Sequence, residues 1–130
     1  MNSLQELFDA AYTHALSMPE LARIYRNTAS RYRAPNGQRC LIGAMIPDEL
    51  YSPEMEDLTV NQLCFKPEFR PIMINIGLIG EETEDYYAKR ITFLSELQQC
   101  HDAAKSVEDM FVRLEQLRNQ YNLQLPTGHV

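Results

Sequence analysis

Residues 31–56, RYRAPNGQRCLIGAMIPDELYSPEME, are the most tightly specified stretch of this chain. An arginine-rich segment leads into an Asn-Gly turn, a cysteine then opens an apolar run, and two prolines start acidic turns. Asn-Gly tolerates the positive φ of a tight turn, so the pattern predicts a small β-hairpin near residues 31–40. A lone hairpin is marginal in water, so we expect it to pack on helices.

Helical periodicity dominates the rest of the chain. Apolar residues recur every three or four positions behind capping residues, as amphipathic helices require. The predicted helices start at Ser3, Pro19, Thr59, Thr83 and Ser106. The helix from Thr83 runs to about residue 104, and its short gap to the next helix favours an antiparallel pair. The pattern of residues 67–80 fits neither a helix nor a strand clearly.

Length and composition fit one domain. A chain of 130 residues with 45% hydrophobic residues can bury one core, which we place at residues 1–125, followed by a flexible tail at 126–130. The predicted fold is mainly α, a compact helical domain with one small β-hairpin. No signal-like start and no apolar run of membrane-spanning length are present, so we expect a cytoplasmic protein with no membrane contact. The cysteines lack a short repeated spacing, which indicates reduced thiols: Cys40, Cys64 and Cys100.

The formal net charge of −6 is unevenly distributed along the chain. The basic group consists of Arg23, Arg26, Arg31, Arg33 and Arg39. The predicted binding surface consists of acids and two neighbouring tyrosines, namely Asp48, Glu49, Glu54, Glu56, Asp57, Glu84, Asp85, Tyr86 and Tyr87. Segregated charge steers encounters with a complementary surface, and tyrosines are good contact anchors. This pattern predicts a protein partner with a basic surface.

One alternative is a thiol-dependent enzyme that uses Cys40, His101 and Asp102, because a thiolate nucleophile needs a nearby imidazole. Adjacent side chains in a helix point about 100° apart, so we expect Asp102 not to orient His101. We favour a structural His101 that bonds a backbone carbonyl or a tyrosine, and a buried Cys40. The three cysteines lack the short paired spacing of zinc ligands, so no metal and no cofactor are predicted.

A second alternative is a nucleic-acid binder. The basic group, residues 23–39, would follow phosphates while Tyr25 and Tyr32 stack on bases. The acidic net charge and the lack of a recognised module argue against direct nucleic-acid binding. Internal pairing of these arginines with the carboxylates of residues 48–57 is the simpler interpretation.

The order NGQRCLIGAMIPDELYSPEME, followed by FLSELQQCHD, resembles uncharacterised small proteins of bacteria, phages and prophages. Those proteins share a Cys-x-x-Gly-x-x-Ile-Pro-Asp block and a later Leu-Gln-x-x-His-Asp, although Asp57 stands here where glycine is expected. The resemblance implies a mobile-element setting, in which small acidic proteins often bind and disable host proteins. We therefore expect a binding module rather than an enzyme, acting in the host cytoplasm on a nucleic-acid-handling or defence complex. The helical faces outside the core are compatible with a homodimer.

Overall fold

The computed structural model describes residues 2–23, 30–80 and 85–126, and only the backbone of residues 85–87. Its α-helices are α1 (Leu4–Leu16), α2 (Val60–Phe65), α3 (Arg70–Asn75), α4 (Asp85–Asp102) and α5 (Val107–Gln120). The prediction of a mainly helical fold is confirmed. Helix α4 packs against α1, α2 and α5 and organises the structure. None of the helices in the described residues combines the length and the apolar character that crossing a membrane requires.

The helix starts are fixed by the caps that the sequence predicts. The Ser3 hydroxyl accepts the Glu6 N–H at 3.1 Å, and the Glu6 carboxylate accepts the Ser3 N–H at 2.9 Å. Thr59 and Gln62 exchange the same two bonds at the start of α2. Ser106 caps α5 through one such bond. Each cap satisfies amide groups that have no partner inside the helix.

Residues 67–80, whose pattern is ambiguous, form α3 and a turn. Pro71 lies in the first turn of α3, where its missing N–H breaks no helical bond. Gly77 has a φ of 86°, a conformation that glycine adopts easily, and reverses the chain after the helix. The buried Arg90 of α4 donates to the carbonyl oxygens of Gly77 and Leu78. These bonds hold the turn against the long helix.

Residues 31–40 form a turn, and the predicted β-hairpin is not supported. The described part of the chain contains no strand, and a single isolated bridge crosses this segment. The tight turn itself is present, because Gly37 has a φ of 85°. No ladder extends from the turn, because the N–H groups of Tyr32 and Arg33 donate to the carboxylate of Glu56 rather than to a neighbouring strand.

The second helix, predicted to start at Pro19, does not form over the described residues 19–23. These residues bend, and the rest of the predicted helix lies outside the described part of the chain. The N–H of Ala22 donates to a side chain of α4, His101, at 2.9 Å. A tertiary hydrogen bond thus takes the place of a helical one.

The apolar run after Cys40 belongs to the core. Leu41, Ile42 and Ile46 are fully buried in one cluster with residues of α1, α4 and α5. Burying a side chain of this size stabilises a fold by about 1.5–3 kcal/mol. The block that the sequence marks as most specified is therefore anchored in the interior. Residues 127–130 of the predicted tail lie outside the described residues.

Candidate functional site

The two ends of the 31–56 block and Asp102 of the Cys-His-Asp tripeptide meet at one cleft in the surface. The cleft has a volume of about 460 Å³. Residues 30–32 and 56–61 line one side. Helix α4 lines the other side with Ser95, Gln98, Gln99 and Asp102. Ser95 is followed three and four residues later by Gln98 and Gln99, and Asp102 follows these two at the same spacings, so the four share one face of the helix.

A groove of about 590 Å³ between α4 and α5 continues the cleft. Asn61, Ser95 and Gln99 line both spaces, so we name the two together the α4 groove. From Ile91 to Asp102, helix α4 rises about 17 Å. An extended chain of about five residues has the same length.

His101 ties the end of α4 to the segment after α1. The ring is fully buried, and its Nε2 accepts the Ala22 N–H at 2.9 Å, so the ring carries its proton on Nδ1. This Nδ1–H donates to Asp102 Oδ1 at 2.9 Å. Gln98 donates to the same oxygen at 2.8 Å, and its own oxygen accepts the Ile42 N–H at 3.0 Å. The network connects α4 to two distant segments.

Two expectations about this histidine are wrong in detail. Asp102 does orient the ring of His101, although the two residues are adjacent in the helix. The backbone partner of His101 is an N–H group, not a carbonyl or a tyrosine. The side chain nevertheless bridges two parts of the fold, as a buried polar group must to satisfy its hydrogen bonds.

Cys40 is badly placed to be a nucleophile. Its thiol is fully buried and accepts the Gly43 N–H at 3.3 Å. Burial raises the pKa of Cys40 to about 12, whereas a reactive cysteine needs a lowered pKa. Both ring nitrogens of His101 are already bonded, so neither is left to take a thiol proton. Burial also raises the pKa of Cys64 to about 11 and that of Cys100 to about 12.

The zinc alternative also lacks a suitable cluster. Within the described residues, no three side chains of His, Cys, Asp or Glu are grouped so that they could hold a metal ion. The three cysteines are buried at separate places, on the segment before Leu41, on α2 and on α4. The cysteines therefore act as small apolar core residues, a common role for free cysteine.

We expect His101→Gln to lower the free energy of unfolding by about 2 kcal/mol, because a displaced amide leaves buried partners such as the Ala22 N–H unsatisfied. Urea unfolding followed by circular dichroism measures the change. His14→Gln is the matched control, since His14 is half-buried and its one side-chain hydrogen bond within the described residues is to the Arg39 carbonyl oxygen, at 2.7 Å. Its loss should stay below about 1 kcal/mol. Equal unfolding midpoints for the two variants would contradict the structural role of His101.

Three arginines of the basic group are paired with carboxylates within the fold. Arg33 pairs with Asp48 at 2.8 Å, and Arg39 pairs with the same carboxylate at 2.9 Å. Arg31 lies 3.6 Å from the Glu56 carboxylate. A phosphate would have to compete with these carboxylates for each guanidinium. The internal pairing weighs against a nucleic-acid surface.

Arg23 has a structural role at the end of α4. Its guanidinium donates to the carbonyl oxygens of Asp102, at 3.3 Å, and of Ala104. A cation at a helix C-terminus satisfies carbonyls that have no helical partner and offsets the helix dipole. Arg26, the remaining member of the basic group, lies outside the described residues.

Glu56, which the sequence assigns to the binding surface, has a buried side chain. Only 3% of its side chain is exposed. Its carboxylate accepts the N–H groups of Tyr32 at 2.8 Å and Arg33 at 3.0 Å, together with the hydroxyl of Tyr51. Burial raises the pKa of Tyr51 to about 12, and the bond to this carboxylate adds to the shift. The carboxylate of Glu56 therefore connects residues 32–33 to Tyr51 within the block.

The other predicted acids differ in their surroundings. Asp48 is exposed but is shared between two arginines. Glu49, Glu54 and Asp57 are exposed, and Asp57 lines the cleft. Further members of the predicted surface lie outside the described residues or side chains: Glu84, Asp85, Tyr86 and Tyr87.

The polar wall of the α4 groove was not predicted from the sequence. Its amide side chains include Asn61, Gln98 and Gln99. A polar stripe at three- and four-residue spacing is visible in α4, but a solvated helix face has the same pattern. Only the packing of residues 56–61 beside α4 makes this stripe one wall of a cleft.

Comparison with known proteins does not identify a ligand for this groove. No protein-family model, curated protein or solved structure matches the chain. Its chemistry has to be inferred from its own side chains.

Proposed function

We propose that the protein is a small protein-binding module that inhibits or regulates a host protein in a phage or prophage setting. The observation that carries the binding role is the α4 groove, whose two parts have volumes of about 460 and 590 Å³. The inhibitory setting is supported by the resemblance of the 31–56 block to small phage and prophage proteins. The fully buried Cys40 gives the competing thiol enzyme no accessible nucleophile.

The chemistry of the groove suits a peptide backbone. Asn and Gln side chains each offer a carbonyl acceptor and two N–H donors, so they can pair with both polar groups of an extended chain. The α4 groove carries such amides at Asn61, Gln99, Gln116 and Gln120. Its apolar floor is small, formed chiefly by Ile91 and Leu117. Polar amides around a small apolar floor are typical of a protein-recognition surface rather than of a site for an apolar ligand.

The wall of the groove is held in place before a partner binds. Buried bonds from His101 and Gln98 fix the end of α4 to the core. A surface that is already ordered loses less conformational entropy on binding. Charge complementarity then favours a basic partner, because Glu49, Glu54 and Asp57 are exposed and the net charge is −6.

We expect Gln99→Trp to reduce partner capture at least about tenfold, because a bulky ring at the junction of both parts fills the α4 groove. Gln99 is exposed, so the change should leave the fold intact. The measurement is capture by tagged protein from a nuclease-treated bacterial lysate at physiological salt, with bound proteins quantified by mass spectrometry. Thr13→Trp, on the exposed face of α1 and away from the groove, is the matched control.

Retention of one protein by the wild type and by Thr13→Trp, with its loss from Gln99→Trp, is the expected result. Capture that both tryptophan variants retain would move the contact surface away from the α4 groove. A wild-type bait that stays empty in lysates of several bacterial hosts would contradict the binding role itself.

A further inference from the structure

We infer that the cleft binds a cationic side chain, a lysine or an arginine, from an extended segment of the partner protein. This inference rests on the proposed binding function and names the chemistry of its ligand. Of the charged side chains that line the cleft, three are carboxylates and one is a guanidinium: Glu56, Asp57, Asp102 and Arg31. A partly enclosed space with this balance favours a cation.

The four charges do not contribute equally. Glu56 is occupied, because its oxygens accept two backbone N–H groups and a tyrosine hydroxyl. Arg31 lies closest to this same carboxylate, at 3.6 Å. Asp57 and Asp102 are therefore the two carboxylates that remain for a ligand.

Asp102 is oriented by buried groups and still reaches solvent. The bonds from His101 and Gln98 both end on Oδ1, at 2.9 and 2.8 Å. Among the described residues no donor reaches Oδ2, and 29% of the side chain is exposed. A carboxylate whose rotamer is fixed by supporting bonds keeps one oxygen ready for a charged donor. His101 is thus a positioning residue for the acceptor.

The α4 groove supplies room for the chain that carries this cation. The cleft forms one end, and the other part extends past Gln99 to Gln120. The amides along that path can pair with peptide N–H and C=O groups. A phosphate-bearing ligand would meet repulsion from the two available carboxylates, so a nucleic acid fits this end poorly.

The test uses three acetylated and amidated pentapeptides. The first is Ala-Ala-Lys-Ala-Ala, and in the others norleucine or glutamate replaces the lysine. Norleucine keeps most of the apolar stem and removes the charge. Titrations follow the side-chain amide signals of Asn61, Gln98 and Gln99 by NMR. We expect saturable shifts with the lysine peptide, at least about fivefold weaker binding of the norleucine peptide, and none of the glutamate peptide.

Two substitutions connect the cation preference to the cleft. Asp102→Asn keeps an oxygen for the His101 bond and removes the charge, and we expect at least about fivefold weaker binding of the lysine peptide. Asp57→Asn changes an exposed residue, so it remains informative if Asp102→Asn unfolds, and should weaken binding about twofold. Glu68→Gln changes an exposed acid that lies outside both the α4 groove and the predicted binding surface, so it is the control and should bind like the wild type.

Equal binding of the lysine and norleucine peptides would overturn the inference, as would wild-type affinity in both aspartate variants. Shifts confined to amides outside the cleft would do the same. These failures differ from failure of the proposed function. A partner that is captured by the wild type and lost from Gln99→Trp, with no cation preference in the peptides, would leave the binding role standing.

Discussion

Gly43→Ala should lower the free energy of unfolding by about 3 kcal/mol or more, because an added methyl group has no space. A Cβ at this position would lie 2.1 Å from the carbonyl oxygen of Tyr32 and 2.8 Å from its Cα. Both atoms belong to the backbone, so no rotation of a side chain relieves the clash. The apparent melting temperature should fall by roughly 10 °C for a domain of this size.

Tyr32 has little freedom to move away. Its N–H donates to Glu56 at 2.8 Å, its hydroxyl donates to the Leu58 oxygen at 2.7 Å, and its ring is buried. Its carbonyl oxygen also accepts the Cys40 N–H at 3.3 Å. Any shift that makes room for a methyl group therefore disturbs several bonds at once.

Gly37→Ala is the control for this prediction. Gly37 has a φ of 85° but no neighbouring atom within 4 Å of an added Cβ. The loss of unfolding free energy in Gly37→Ala comes only from backbone conformation and should be about 1 kcal/mol. Thermal unfolding of the two variants separates crowding from backbone strain. A Gly43→Ala protein that melts at the wild-type temperature would show that Tyr32 does not approach so closely.

The starts of α1, α2 and α5 could be predicted because their signals are local. Ser3, Thr59 and Ser106 each cap a helix by accepting an N–H three residues ahead. Periodic apolar residues then identify the buried face of each long helix. Interactions of this range are contained in a short window of sequence, so the pattern and the structure agree.

The failed predictions of a hairpin and of a helix from Pro19 concern groups whose partners lie far along the chain. The N–H groups of Tyr32 and Arg33 find their acceptor in Glu56, more than 20 residues later. Nothing in the sequence distinguishes this acid from its exposed neighbour Glu54. The hairpin prediction uses only the Asn-Gly turn. It therefore misses the Glu56 carboxylate, which accepts N–H groups that a paired strand would otherwise accept.

The candidate site shows the same limit. Its cleft joins residues 30–32, residues 56–61 and the last turns of α4, which are distant in sequence. The sequence marks Asp102 and His101 as a candidate pair, but the helix rule on adjacent side chains argues against the bond that the structure contains. That rule describes the directions in which Cβ atoms leave the helix, while a carboxylate and an imidazole ring extend well beyond them. The sequence therefore identifies His101 and Asp102 as candidate residues, but it does not predict which groups they contact.

Glu56→Ala should lower the free energy of unfolding by about 3–5 kcal/mol, because it removes a buried acceptor and leaves its donors without a partner. Those donors are the N–H groups of Tyr32 and Arg33, and the hydroxyl of Tyr51. The guanidinium of Arg31 also loses its carboxylate. Urea unfolding of purified variants measures the loss, and hydrogen exchange at residues 32 and 33 should become faster.

Glu54→Ala is the matched control, because it removes an exposed carboxylate two residues away and should cost less than about 0.5 kcal/mol. Glu56→Gln keeps one acceptor oxygen and should fall between the two alanine variants. If the 31–40 segment were held instead by strand pairing, Glu56→Ala would resemble Glu54→Ala. A large difference in the free energy of unfolding between the two alanine variants means that the buried carboxylate of Glu56 holds this segment in place, as a paired strand holds a hairpin. Without that carboxylate the cleft loses one wall.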